Sequence, residues 1–215
     1  MSSGPPLADE AQGRARLRQK APWFALAAAC LVADLVTKWI VFYPLRPISR
    51  EPVARLTSWW NIVIAYNQGV TFGLASQSRG WLLACATSVV IALLVWQLWT
   101  ARRGERLRQF ALAIIVGGAI GNLYDRSLRP LVEPDTRPGV RDFLDWYAPD
   151  HWAVARWLEE HVGSTHWYTS NVADVLIVCG VCLLAWVILT ERPQAEPKQA
   201  AGASATAGAD GPPAA

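Results

Sequence analysis

Two aspartates, Asp142 and Asp174, stand where a carboxylate is costly, and together they predict acid/base chemistry at a membrane surface. Asp142 lies in the segment Val-Arg-Asp-Phe at 140–143, and Asp174 opens an apolar run that extends to about Leu189. A charged side chain deep in a bilayer costs roughly 2.5–3.5 kcal/mol, so such residues are functional candidates. If the two carboxyls converge, like charges cannot both ionise, and one keeps its proton near neutral pH.

Two carboxyls that share one proton titrate as a unit and have the components of aspartic protease chemistry. The ionised member takes a proton from water, and the protonated member polarises the scissile carbonyl. Spacing alone leaves a second interpretation open, in which both aspartates belong to a buried structural polar network. Asn171 lies one helical turn before Asp174 and could orient its carboxylate, whereas Arg141 in an extended segment would point away from Asp142.

Other polar residues in the apolar runs predict support for such a site. Asp34 and Lys38 are four residues apart on one helix face, in the favourable order of acid before base. They form either a mutually neutralising pair or a brace for an outer site. Asn122 and Asp125 share a face of another run, and the adjacent Arg126 should keep Asp125 ionised. This favours a structural or binding role for Asp125 over proton transfer.

Glycines at two places predict a close approach of backbone segments. Gly69 follows Asn67, whose side-chain amide can both donate and accept hydrogen bonds, although this segment by itself is typical of a turn. Gly117 and Gly121 form a small-xxx-small face that lets another helix approach.

Four apolar stretches must position these residues. They run at about 23–42, 81–99, 110–128 and 172–189, each near the roughly 20 residues that span a bilayer as a helix. The predicted fold class is therefore a membrane protein with an all-α core of four transmembrane helices. Residues 1–22 and 192–215, rich in Ala, Gly and Pro, are predicted to be disordered tails that flank one transmembrane domain at 23–191.

Basic residues beside the spans predict the orientation. Arginines and a lysine at 14–20 precede the first span, and four arginines at 102–108 separate the second span from the third. Both termini are therefore expected in the cytoplasm, with residues 44–79 and 129–171 outside, where arginines are more dilute. The net charge of +3 reflects these juxtamembrane residues and gives no support to nucleic-acid binding.

The outer segments predict two small elements. Alternating and aromatic residues up to Asn67 indicate a small extracytoplasmic β-cradle, continued at 70–73. In the long outer loop, Trp152, Ala155 and Leu158 fall on one face and predict a short interfacial amphipathic helix at 150–161.

Taken together and in order, these motifs resemble lipoprotein signal peptidase, the type II signal peptidase of bacteria, over roughly residues 23–190. The motifs are Asp34-x-x-x-Lys38, Asn67-x-Gly69-x-x-Phe72-Gly73, Gly117-Gly-Ala-x-Gly-Asn122-x-x-Asp125-Arg126, Val140-x-Asp142-Phe143 and Asn171-x-Ala173-Asp174. The resemblance implies an inner-membrane aspartic peptidase that cleaves diacylglyceryl-modified prolipoproteins just before the lipidated cysteine. We expect a monomer in contact with membrane lipids, with no metal or cofactor.

Carried over by position, the resemblance assigns the catalytic dyad to Asp142 and Asp174. The residues that match positions lining or supporting the substrate site are Asp34, Lys38, Asn67, Gly69, Asn122, Asp125, Arg126 and Asn171. This sequence departs from the family in two longer outer stretches, one of them at 130–138, and in Arg141, which stands where an apolar residue is typical.

Two other classes of function remain as alternatives. Cys179 and Cys182 match the CxxC spacing of a thiol oxidoreductase, but an apolar helix does not offer the accessible thiolate that this chemistry requires. A transporter could use Asp34, Asp125 and Asp174 as a proton relay, and it would tolerate the loss of Asp142.

Overall fold

The computed structural model describes residues 6–44, 54–68, 80–133, 137–149, 151–163 and 165–190. The helices in this part of the chain are α1 (Pro6–Phe42), α2 (Gly80–Thr100), α3 (Arg106–Ser127), α4 (Arg129–Val132), α5 (Ala153–Val162) and α6 (Val172–Thr190). The strands are β1 (Ala54–Arg55), β2 (Trp60–Asn67), β3 (Val140–Tyr147) and β4 (His166–Ser170).

Within the ranges that the structure describes, four helices, α1, α2, α3 and α6, are long and apolar enough to cross a membrane, as the sequence predicted. The bounds of α2 and α6 nearly coincide with the predicted stretches at 81–99 and 172–189. α3 begins at Arg106, one turn before the predicted start, because a polar first turn precedes its apolar part.

The first helix is longer than the sequence predicted, and the expectation of a disordered tail at 1–22 is wrong from Pro6 onward. Residues 7–21 are mostly Ala, Leu, Arg, Gln and Glu, which favour a helix strongly enough to outweigh the single Gly13. The predicted tail at 192–215 lies outside the described residues.

α3 is the central helix of the bundle and packs against α1, α2 and α6. Residues 111–119 are buried throughout. A Cβ atom at Gly117 would lie 2.5 Å from the carbonyl oxygen of Ala27 on α1, and one at Gly118 would lie 2.7 Å from that of Ala173 on α6. Small residues thus let both neighbours approach the backbone of α3, as predicted for Gly117.

The strands form one antiparallel sheet in the order β1-β2-β3-β4. β2 and β3 pair Ala65 with Asp142, and β3 and β4 pair Leu144 with Ser170. The predicted cradle is confirmed for β2, and its continuation at 70–73 lies outside the described residues. β4 was not expected from the sequence, because its five residues are too few to show a clear alternation.

Apolar packing holds this sheet over one end of the bundle. Phe42, the last residue of α1, forms a buried cluster with Ile64, Phe143 and Leu144, and Val172 at the start of α6 packs against it. The strand that contains Asp142 therefore rests on the helix that contains Asp174.

The amphipathic helix predicted at 150–161 is confirmed by α5. Ala155 and Leu158 face inward and pack with Ala148, whereas Trp152 and Trp157 are exposed. The sequence predicted that Trp152, Ala155 and Leu158 share one face of this helix, and only Ala155 and Leu158 are covered by protein.

Candidate active site

Asp142 and Asp174 meet at the end of the bundle that the sheet covers, joined by two asparagines. Asn171 donates from Nδ2 to Asp142 Oδ1 at 2.6 Å, and Asn122 donates from Nδ2 to Asp174 Oδ1 at 2.8 Å. The asparagines are themselves linked, since Asn171 Nδ2 also lies 3.2 Å from Asn122 Oδ1. One continuous set of hydrogen bonds therefore connects a strand residue to a residue at the start of a transmembrane helix.

The local sequence fixes Asp174 through a capping box at the start of α6. Asn171 Oδ1 accepts the N–H of Asp174 at 3.1 Å, and Asp174 Oδ2 accepts the N–H of Asn171 at 3.3 Å. This exchange satisfies two backbone donors that the first turn of a helix leaves unpaired. A carboxylate is also favoured there by the positive end of the helix dipole. The same two residues thus begin the helix and orient a candidate catalytic group.

Burial sets the protonation state of Asp142, whose exposed fraction is 1%. Burial raises the pKa of Asp142 from an ordinary value of 3.8 to about 7, and the negative charge of Asp174 adds to the rise. The hydrogen bond from Asn171, the Asn67 side chain and the charge of Lys38 act in the opposite direction. Near neutral pH, Asp142 is therefore the member of the pair that keeps a proton.

The pair Asp34 and Lys38 forms as the spacing predicts, with 2.7 Å between Lys38 Nζ and Asp34 Oδ2. Lys38 Nζ also donates to Asn122 Oδ1 at 3.1 Å and lies 3.0 Å from Asp125 Oδ2. Asp34 Oδ1 accepts the N–H of Ala173 at 3.0 Å, so this carboxylate caps α6 from the neighbouring helix. The pair is thus both a neutralised ion pair and a brace for the carboxylate site.

Asp125 is fully buried and is surrounded by cations, and its close contacts are with residues other than the adjacent Arg126. Arg141 holds Asp125 through its N–H at 3.1 Å, Nε at 2.9 Å and Nη2 at 2.7 Å. Lys38 and Arg129 complete the set, with 3.5 Å between Arg129 Nε and Asp125 Oδ1. These contacts pair Asp125 with three cations, which favours a structural role for this carboxylate.

The sequence reasoning missed Arg129 and Arg141 as parts of this cluster. Arg141 does point to the face opposite Asp142, as strand geometry predicts, and the residue it reaches is Asp125. Arg129, in α4, is 1% exposed and donates to the carbonyl oxygens of Arg137 and Gly139 at 2.7 and 2.8 Å. An arginine one turn after Asp125 was the available signal, since residues four apart share a helix face.

Three predicted site residues remain, and the structure treats each differently. Arg126 lies in the electrostatic field of Asp174 and Asp142, and its buried Nε has no hydrogen-bond partner within the described part of the chain. Asn67 is exposed at the end of β2, close enough to act on Asp142. Gly69 lies outside the described residues.

The described residues also bear on metal and thiol sites. Within those ranges, no group of three His, Cys, Asp or Glu side chains is arranged to hold a metal ion. Cys179 and Cys182 are free thiols on the exposed surface of α6.

The fold belongs to the class of helical bundles with four candidate membrane spans, with a buried carboxylate cluster under a small sheet. Two solved bacterial membrane enzymes share this fold. One, at 1.9 Å resolution, has a TM-score of 0.61 and 19% identity, with 80% of this chain and 95% of that chain covered. The other, at 2.3 Å, has a TM-score of 0.60 and 21% identity, with 83% and 95% covered.

The chain belongs to the signal peptidase II family, whose sequence profile, described as Signal peptidase (SPase) II, matches residues 26–190. Membership makes it a protease. It is 31% identical over 183 residues to the lipoprotein signal peptidase of Azoarcus sp. (strain BH72), which covers 83% of this chain and 90% of that protein. It is 32% identical over 183 residues to that of Solibacter usitatus, which covers 83% and 96% respectively.

Proposed function

We propose that this protein is an aspartic endopeptidase that removes the signal peptide from diacylglyceryl-modified prolipoproteins by cutting just before the lipidated cysteine. The names of its relatives, lipoprotein signal peptidases, support the substrate class. The observation that carries the aspartic mechanism is the hydrogen-bonded link between Asp142 and Asp174 through Asn171 and Asn122.

The raised pKa of Asp142 supports placing the shared proton on this residue. Asp142 Oδ1 accepts the hydrogen bond from Asn171, and Asn67 also bonds to this carboxyl. We place the proton on Oδ2, the oxygen that does not accept from Asn171, and propose that it turns to the substrate carbonyl. Asp174, whose carboxylate accepts hydrogen bonds from Asn122 and from the Asn171 N–H, is then the base of the pair.

Each protein group has a defined role in the reaction that follows. As water attacks the scissile carbonyl carbon, Asp174 takes one water proton and Asp142 gives its proton to the carbonyl oxygen. When the resulting gem-diol collapses, Asp142 recovers a proton from one hydroxyl, and Asp174 gives its proton to the departing amine nitrogen. Both carboxyls return to their starting protonation states, as a pair that shares one proton requires.

The surrounding residues bind substrate or hold the dyad. Asn67 bonds to Asp142, and Arg126 lies in the electrostatic field of both carboxyls, so we assign both residues to the binding of substrate oxygen atoms. Asn122 and Asn171 position the dyad, and Gly69 is assigned to the same site from its motif. Behind them, the cluster of Asp34, Lys38 and Asp125 braces the helices.

We place the protein in the bacterial inner membrane as a monomer with both termini in the cytoplasm. The arginines at 14–18 and 102–108 support this orientation. The sheet and the dyad then lie at the outer face, where a lipid-anchored substrate can present its cleavage point from the bilayer.

The test is gel-shift cleavage of a diacylglyceryl-modified prolipoprotein by the purified protein, beside Asp142→Asn and Asp174→Asn. The matched control is Asp145→Asn, a buried carboxyl on the same strand. We expect both dyad variants to lose cleavage by about 10³-fold or more, while Asp145→Asn remains active at equal thermal stability. Cleavage by either dyad variant at the parental rate would refute the mechanism, and an inactive parent would refute the substrate assignment.

A further inference from the structure

A cavity at the opposite end of the bundle lies between the first turns of α1 and the connection that joins α2 to α3. Its volume is about 470 Å³, which is within the range of small-ligand sites. It is lined by Ala11, Arg14, Ala15, Arg18, Gln19 and Arg103. Three arginines therefore line one cavity.

The sequence of α1 explains how this cavity arises. Residues 11, 14, 15 and 18 fall on one face of a helix because they are spaced by three and four. The small side chains of Ala11 and Ala15 leave space on this face, and Arg14 and Arg18 lie on either side of that space. Glu10 lies 3.8 Å from Arg14, but both side chains are largely exposed, so this pair offsets little of the positive charge.

Buried hydrogen bonds hold the two walls of the cavity together. Lys20 is 1% exposed and donates to the carbonyl oxygen of Ala101 at 2.6 Å and to Gln109 Oε1 at 2.9 Å. Gln109 Nε2 donates to the carbonyl oxygen of Arg102 at 2.9 Å. These contacts fix the backbone of the connection against α1.

The chemistry of the lining selects a phosphate. Arginine presents a planar fork of donors that matches phosphate oxygens, and several arginines together favour an anion. The lining residues of α1 belong to the first turns of the candidate membrane span Glu10–Phe42. Basic pockets at this position between transmembrane helices bind the headgroups of anionic lipids.

We propose that this arginine cavity, formed by Arg14, Arg18, Arg103 and Gln19, binds a phosphate-bearing anion, with an anionic phospholipid headgroup as the occupant. The site is independent of the proposed cleavage chemistry. Arg18 and Asp34 are separated by about 24 Å along α1 at 1.5 Å per residue. Occupancy of the cavity anchors the α1 end and the α2–α3 connection to the lipid surface.

The test compares lipid retention by native mass spectrometry after delipidation and addition of phosphatidylglycerol, cardiolipin or phosphatidylcholine. The variant is Arg14→Gln with Arg18→Gln and Arg103→Gln. The matched control is Arg102→Gln with Arg106→Gln and Arg156→Gln, which removes the same charge from residues that do not line the cavity. We expect the parent and the control to bind both anionic lipids saturably, and the cavity variant to bind them about tenfold more weakly.

Two further arms separate the possible outcomes. In the first arm, inorganic phosphate is titrated at constant ionic strength and the melting temperature is measured. A melting temperature that rises to a plateau in the parent but not in the cavity variant identifies a general phosphate site. The single variant Arg103→Gln, an exposed loop residue, covers the case in which the triple variant fails to fold. Equal lipid retention by parent, cavity variant and control would overturn the proposal, as would an equal loss in the two triple variants.

Discussion

Asn171 Nδ2 donates to Asp142 Oδ1 at 2.6 Å, while the Oδ1 of the same asparagine accepts the N–H of Asp174 at 3.1 Å. One side chain therefore caps a transmembrane helix and positions a carboxyl on a strand that folds against it. Helix formation and assembly of the dyad are coupled through this residue.

Replacement of Asn171 by Ala should lower the rate of cleavage and leave the affinity for substrate nearly unchanged. Both carboxyls lose an orienting contact, and misplacement of a reacting group by about 1 Å costs roughly 100-fold in rate. We expect kcat to fall by about that factor with little change in KM. The control is Ser170→Ala, which removes a hydrogen bond to Trp146 but none to the dyad. An Asn171→Ala variant with parental kcat would show that the asparagine is not a positioning residue.

Cleavage should decline as the pH rises above about 7, because burial raises the pKa of Asp142 to about 7. Above this value both carboxyls are charged, and the proton needed for the substrate carbonyl is absent. A profile of kcat/KM against pH should show an alkaline limb of one proton near this value. An activity that stays constant from pH 6 to about 9 would contradict the assignment of the proton to Asp142.

Stability should depend on pH through the same group. In the unfolded chain the pKa of Asp142 is near 3.8, and in the fold it is about 7, so the folded state binds more protons between these values. The free energy of unfolding therefore falls as the pH rises through this window. Thermal unfolding in detergent should show a smaller fall for Asp142→Asn than for the parent, and identical slopes would be inconsistent with the raised pKa.

Arg141→Met should destabilise the protein by about 2–3 kcal/mol, since it removes charge-assisted hydrogen bonds to a buried carboxylate. Lys38 and Arg129 remain beside Asp125, which prevents a larger loss. The control is Arg137→Met, an exposed residue whose side chain lies outside this cluster; it should change stability by less than about 0.5 kcal/mol. Reversible unfolding in mixed micelles measures the free energy of unfolding of each variant. An equal loss in Arg141→Met and Arg137→Met would show that Arg141 does not stabilise the fold through Asp125.

Gly121→Ala should also be destabilising, because a Cβ atom there would collide with the carboxylate of Asp34. That carboxylate is held by Lys38 and by the N–H of Ala173 and cannot move without breaking those bonds. We expect a loss of about 1–3 kcal/mol. Gly104→Ala is the control, since its Cβ would meet nothing within 4 Å. If the two variants unfold alike, the close approach of α1 and α3 does not limit stability.

The sequence by itself determined the four spans, the pairing of Asp34 with Lys38 and the small-residue approach at Gly117. Each of these depends on composition or on spacing along one helix, where 3.6 residues per turn decides which side chains are neighbours. The amphipathic α5 was predictable for the same reason. The helical start of α1 was predictable from residue propensity and was missed because its basic, Gly- and Pro-containing composition is also typical of disorder.

The tertiary structure alone decided which residues meet across elements. Nothing in the spacing indicates that Arg141, next to Asp142 in β3, turns to Asp125 on α3, or that Asp34 caps α6 through Ala173. Such contacts join residues far apart in the chain, and they depend on how the sheet packs over the helix ends. The same packing removes Asp142 from water, so its raised pKa, which the proposed mechanism requires, is a property of the folded protein and not of its sequence motif.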